Sequence, residues 1–231
     1  MALAACGGGG PSTDGDRSNV RERTVTFKTT DGRTLTGRMF GSGRVGVTLA
    51  HMYPADARSW YDAGRRIAEA GYGVLAFNFR GYADSEGPRQ VANAPIDIDA
   101  AYEYLERRGA KDVAFVGASM GGTASLVAAS DGRPLAVVAI SAPTRFMGLD
   151  AAAVATGVQR PVLLLASRAD EPAFRSLAEL ESALPNPDTK IFDGDAHGTN
   201  LIESRPEALD EIISFLKRYA PLTRSAPTPS S

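Results

Sequence analysis

From residue 24 onward, short apolar runs and amphipathic stretches take turns along the chain. Residues 24–29 (TVTFKT) and 34–40 (TLTGRMF) are rich in β-branched side chains and flank Asp31-Gly32, a pairing that predicts a hairpin. Residues 45–51 (VGVTLAH) then read as a short buried strand. The stretch 59–71 reads as a helix, with Trp60, Ile67 and Ala68 at helical spacing and Gly71 as its stop. The same alternation continues: strand over 73–79, helix over 95–109 with Ile98, Tyr102 and Leu105 on one face, strand over 112–117, helix over 121–130. Strands over 135–141, 161–167 and 189–194 and helices over 171–185 and 205–219 complete the pattern. Strands that are apolar without polar alternation must be covered on both faces. Strand and helix in turn therefore predict an α/β fold, a doubly wound and mostly parallel sheet with an antiparallel hairpin at its start. In such sheets ligands sit beyond the carboxyl ends of the strands, which says where to look for chemistry.

Composition narrows the partners. The 231 residues, 43% hydrophobic and 23% charged, suit one domain with a real core, here placed at 23–220. A formal charge of −2 and no lysine/arginine stripe argue against nucleic acid. One cysteine and two histidines provide neither an internal disulfide nor the ligands of a Cys/His zinc site. No phosphate-binding glycine loop or other signal asks for a metal, nucleotide or flavin, so no cofactor is expected. The ends differ from the body. Residues 1–22 open with Leu3-Ala4-Ala5-Cys6, which resembles a bacterial lipobox, followed by a Gly-rich tether; residues 221–231 are Pro/Ser/Thr-rich and read as a disordered tail. Lipidation of Cys6 would tether the domain to a membrane at the cell envelope. The basic and apolar regions of a secretory signal are not within residues 1–6, so either the true start lies upstream, in a lipid-anchored or secreted protein, or the match is chance and the protein is cytoplasmic.

Gly117-Ala118-Ser119-Met120-Gly121 stands where the strand over 112–117 gives way to helix, with Gly122 next. G-x-S-x-G in a strand–turn–helix setting is the nucleophile elbow, a turn so tight that the serine is held in a strained backbone and its neighbours have no room for side chains. A serine hydroxyl needs a base. Of His51, at the end of the strand over 45–51, and His197, in the loop after the last strand, the order serine–acid–histidine selects His197. Asp170, just past the strand over 161–167, is the candidate acid, with Glu171, Asp193 and Asp195 close by in sequence. His51 reads as buried structure.

These features together resemble the α/β-hydrolase family from about Val25 to Tyr219. LAHMYPADARSW resembles the family's strand-end His-Gly segment, FNFRGYADSEG its arginine–glycine loop, and AHGTNL its catalytic-histidine loop. The resemblance implies an oxyanion hole from the backbone N–H groups of Met120 and Tyr53, with Met52 as the alternative donor and the Tyr53 phenol as a further one. Met52, Asn78 and Ala83 depart from the family's usual glycine, aspartate and glycine. Between residues 142 and 160 there is room for about one short helix, where many members carry a large lid. In size and lack of lid the chain is similar to dienelactone hydrolases, but these use cysteine at the elbow. Phe146, Met147 and Leu149 fall in this short segment and read either as an acyl-pocket wall or as packing.

The expected activity is that of a carboxylesterase-like serine hydrolase acting on small or accessible acyl esters through Ser119, His197 and Asp170. Peptidase, thioesterase, acyltransferase and perhydrolase chemistry use the same machinery. A non-catalytic envelope binding module on the same fold is the alternative from a different class.

Overall fold

The computed structural model describes residues 20–223. Its centre is an eight-stranded sheet built from β1 (Glu22–Lys28), β2 (Thr34–Phe40), β3 (Val45–Ala50), β4 (Gly73–Phe77), β5 (Asp112–Ala118), β6 (Val137–Ile140), β9 (Val162–Ser167) and β10 (Asp188–Phe192), while β7 (Arg145–Phe146) and β8 (Leu149–Asp150) form a separate two-stranded ribbon. The order across the main sheet is β1-β2-β4-β3-β5-β6-β9-β10. β1 and β2 pair antiparallel, β2 meets β4 antiparallel, and every later pair is parallel. The Asp31-Gly32 turn belongs to a five-residue loop, closed by the Thr29 N–H donating to Arg33 O at 2.9 Å, with Gly32 at φ +83°.

The inner strands β3, β4, β5, β6 and β9 are buried along their whole length, as their unbroken apolar runs require. On one face α1 (Tyr61–Glu69), α6 (Thr199–Ser204) and α7 (Pro206–Tyr219) cover Val47, Val116, Val138 and Leu165 with Ile67, Leu201, Ile212 and Leu216. On the other, α2 (Ala94–Arg107), α3 (Met120–Ala128), α4 (Ala151–Val154) and α5 (Glu171–Ala183) cover Phe77, Phe115, Val137 and Leu164 with Ile98, Leu105, Leu126 and Leu177. The predicted face of α2 packs on this core, with Tyr102 at its margin. Ile98, Ala101 and Leu105 are buried together, whereas Tyr102 stands at the flank of that stripe, half-buried against Phe115 and under Arg133.

Several elements depart from the sequence reading. The helix predicted over 59–71 is a 3₁₀ turn, Ala57–Trp60, running into α1, because the Asp56 side chain caps the turn by accepting from Arg58 N–H. The segment 142–160 is the β7–β8 ribbon, α4 and a further 3₁₀ turn, not a single helix. Its ribbon turns through Met147 and Gly148, both at positive φ, which no helix tolerates. A sixth helix, α6, follows the histidine loop. No described helix is long and apolar enough to cross a membrane. Cys6 and its Gly-rich tether lie outside the described residues, as does the tail after residue 223.

A buried ion-pair network secures the loop after β4. The Arg80 guanidinium, 2% exposed, donates to Asp97 Oδ1 from Nε at 2.9 Å and from Nη2 at 2.7 Å, and reaches Asp31 Oδ2 from Nη1 at 2.8 Å. Asp97 also accepts the Arg80 backbone N–H at 2.9 Å. One side chain thereby ties α2 and the β1–β2 turn to the loop, with both buried charges paired as burial demands.

Candidate active site

Parallel register brings the chemistry to one end of the sheet. Ala50 of β3 is level with Gly117 of β5, Ala118 with Ile140 of β6, and Ile140 with Leu165 of β9. The chain therefore leaves each of these strands at about the same height, and residues 51, 119, 141 and 168 onward share one rim. Ser119 sits in that rim at φ +48°, ψ −116°, with its N–H donating to Ile140 O at 2.7 Å and its carbonyl accepting from Thr123 N–H at 3.0 Å. The glycines explain the turn. A Cβ on Gly117 would run into Gly121 O, and one on Gly121 into Ala50 O.

The three candidate residues meet. His197 Nε2 is 2.8 Å from Ser119 Oγ, and His197 Nδ1 is 2.6 Å from Asp170 Oδ2. With Nδ1–H donating to the carboxylate, Nε2 is left to accept the serine proton, the tautomer a general base needs. Asp170 caps α5, and its carboxylate side chain is 10% exposed. The other acids fall outside: Glu171, Asp193 and Asp195 are exposed, and Asp193 faces Arg168 at 3.6 Å. Met120 opens α3, where a backbone N–H has no partner four residues back. Tyr53 follows β3 by three residues, on the rim beside it.

Two serines that the sequence reading passed over hold the histidine in place. Ser167 Oγ donates to Ala196 O at 2.6 Å, and Gly198 N–H donates to Ser141 Oγ at 3.1 Å. The peptide units before and after His197 are thus gripped by hydroxyls from the ends of β9 and β6. Both serines are fully buried, and Ser141 sits at φ +48°, a strained conformation for a residue with a Cβ. Their only local signal is a polar residue closing each apolar strand, in VVAIS and LLLAS.

The three departures from the family pattern have physical accounts. The Met52 thioether fills the space over Gly198, where a Cβ would stand 2.6 Å from Sδ. Asn78 accepts from Ala57 N–H and donates to Thr36 Oγ1, each at 2.9 Å. An ionised aspartate could make the second bond only as acceptor, with the Thr36 hydroxyl donating. Ala83 adopts φ +43°, the backbone a glycine would take without strain.

His51 has no part in the triad. It is fully buried; its Nε2 accepts from Phe79 N–H at 3.2 Å and its Nδ1 lies 3.0 Å from Met52 O, while Phe79 and Tyr82 meet its ring edge to face. Burial pushes its pKa down to about 4, so it is a neutral pin between the loops after β3 and β4.

Comparison with known proteins agrees with this architecture. A family model described as the alpha/beta hydrolase fold matches residues 47–181. Over 114 residues, 48% of this chain, the sequence is 29% identical to the pig (Sus scrofa) bifunctional epoxide hydrolase 2; the match spans only 20% of that longer protein. An esterase from Pyrococcus furiosus superposes with a TM-score of 0.73 at 20% identity, covering 90% of this chain and 96% of the esterase. A bromoperoxidase from Bacillus anthracis gives 0.71 at 18% identity, covering 84% and 100% respectively. The chain belongs to the α/β-hydrolase fold family.

Two outcomes follow from the geometry. The unfolded His51 titrates near 6.5 and the folded one near 4, so its contribution is present above about pH 6.5 and lost as pH falls toward 4, on the order of 3 kcal/mol in all. Asp99, pushed up to about 6 by burial, works in the opposite sense below pH 6. Urea unfolding from pH 7 to 4 isolates the histidine as a difference: His51→Gln is expected to lose less stability over that range than the wild type. For the serine grip, Ser141→Ala and Ser167→Ala each strand a buried peptide group, at about 1–3 kcal/mol in thermal or urea unfolding. Each is also expected to lower kcat on the order of tenfold with KM little changed, through misplacement of His197. Lower stability with unchanged kcat would leave the two hydroxyls a purely structural role.

Proposed function

We propose that the protein is a serine carboxylesterase that hydrolyses small, accessible esters through Ser119, His197 and Asp170. The observation that carries this reading is the unbroken hydrogen-bond chain from the strained Ser119 hydroxyl through His197 to Asp170. As Ser119 Oγ attacks the ester carbonyl, its proton passes to His197 Nε2, and Asp170 stabilises the imidazolium that forms. The carbonyl oxygen becomes an oxyanion, received by the N–H groups of Met120 and Tyr53 and favoured by the positive end of α3. Collapse expels the alcohol, which takes the proton from His197 and leaves Ser119 acylated. Water, deprotonated by His197, then attacks the acyl-enzyme, and the carboxylic acid departs as Ser119 recovers its proton.

The covering supports accessible substrates. Only the β7–β8 ribbon, α4 and a 3₁₀ turn separate β6 from β9, leaving the rim without a large lid. The sequence Leu3-Ala4-Ala5-Cys6 further supports a lipid-tethered, envelope-bound form of the enzyme.

Purified wild-type protein is expected to react with a fluorophosphonate probe, with labelling absent in Ser119→Ala and strongly reduced in His197→Ala. Asp170→Asn is expected to lower kcat on the order of a thousandfold or more, since the imidazole loses its orienting acceptor. A folded wild type that takes up no probe would sink the reading and favour the binding-module alternative. For the tether, incorporation of labelled palmitate that disappears in Cys6→Ala is the expected result; a protein recovered wholly in the soluble fraction without label speaks for the cytoplasmic alternative.

A further inference from the structure

Large apolar side chains among the described residues are almost all covered, and two are not: Tyr53 is 46% and Met147 63% exposed. Both border the proposed active site. Tyr53 follows β3 on the rim, and its ring stands 6.1 Å from that of Phe146, the residue before Met147. Phe146 is half-buried at the edge of the core, with the β7–β8 ribbon packed against α3, the helix that Ser119 caps. In the loop after β4 the buried Tyr82 phenol approaches Met120 Sδ at 3.8 Å. A run of exposed to half-buried apolar side chains therefore passes over Tyr53 and Phe146 to Met147, while Met120, next to the nucleophile, is buried and adds no surface. Leu149, by contrast, is buried and belongs to the core.

The backbone at Met147 sharpens the point. The turn between β7 and β8 has Met147 at φ +43° and Gly148 at φ +93°, the pair of left-handed conformations that Asn-Gly or Gly-Gly adopts most readily. An unbranched apolar side chain at its first position adds strain and leaves most of the residue exposed. We propose that Tyr53, Phe146 and Met147 form an open platform that binds an uncharged hydrocarbon or aryl group of the ester beside Ser119. A flexible, polarisable methionine at the tip and an aromatic ring on each side of the approach suit apolar chains of varied shape. Because the platform has no roof, it takes chains of moderate length in extended contact and does not enclose them. This inference rests on the esterase reading and adds the substrate class to it.

The test compares kcat/KM across p-nitrophenyl acetate, butyrate and hexanoate for an apolar acyl side, and across methyl, butyl and hexyl acetate for an apolar alcohol side. A fully buried methylene is worth up to about fourfold, and one covered on a single side about twofold, so the wild type is expected to favour the longest over the shortest ester on the order of tenfold in one of the two series. Which series shows the rise identifies the group that lies on the platform. Met147→Asn keeps a residue at ease in the left-handed region, so its melting temperature is expected to be unchanged or higher while the long-to-short ratio falls about threefold or more. Phe146→Ser is expected to lower the same ratio. Unchanged ratios in both variants, or no chain-length preference in the wild type, would overturn the platform while fluorophosphonate labelling of Ser119 leaves the esterase reading standing. A folded wild type without labelling overturns both.

Discussion

The site depends on one close approach of backbone to backbone. Gly121, at the start of α3, is pressed so tightly against the end of β3 that a single added carbon would strike Ala50 O, and Gly117 is pressed as tightly against Gly121. That contact forces the chain to reverse within the length of Ser119, which accordingly takes a conformation that costs free energy. The cost is met by the sheet and helix on either side, since Ser119 N–H is bonded to β6 and its carbonyl to the first turn of α3. The result is a hydroxyl raised above the sheet at the positive end of a helix, a position no relaxed loop would hold.

The rest of the site is arranged around that point by hydroxyls, amides and a buried imidazole, with few charges. Ser167 and Ser141 hold the peptide groups on either side of His197, Met52 packs over Gly198, and Asn78 joins β2 to the loop carrying Ala57. His51 pins two loops as a neutral ring, acceptor on one nitrogen and donor on the other. Neutral partners of this kind fix geometry without adding a field that would compete with Asp170 for the histidine. The exception, Arg80 with Asp97 and Asp31, stands behind the loop after β4, with its charges satisfied among themselves.

Besides Ala83 in the loop after β4, side-chain-bearing residues near the rim take positive φ at Ser119, Ser141 and Met147, and the accompaniment differs among these three. At Ser119 and Ser141 the strained residue is buried and hydrogen-bonded into the sheet, so the surroundings over-determine it. At Met147 the strained residue is exposed, in the two-residue turn that joins β7 to β8. At Ser119 and Ser141 the strain is held by the sheet; at Met147 it is held by the closing turn of the β7–β8 ribbon.

Much of this was legible in the sequence because it is local. Unbroken apolar runs such as VLLLA require a sheet covered on both faces, Asp31-Gly32 turns the first hairpin, and glycines two residues either side of Ser119 make sense only in a turn without room. That Ser119, Asp170 and His197 come together was expected from their places at strand ends, because parallel strands must deliver their ends to one rim. Tertiary structure alone decided what long-range packing controls. The sequence does not say that β4 lies between β2 and β3, that Tyr102 turns to the flank of α2, or that Ser141 and Ser167 reach across to residues 57 and 29 positions away. Nor does a methionine announce that it will occupy a left-handed turn: Met147 has no local preference for that backbone, and only the pairing of β7 with β8 over α3 puts it there.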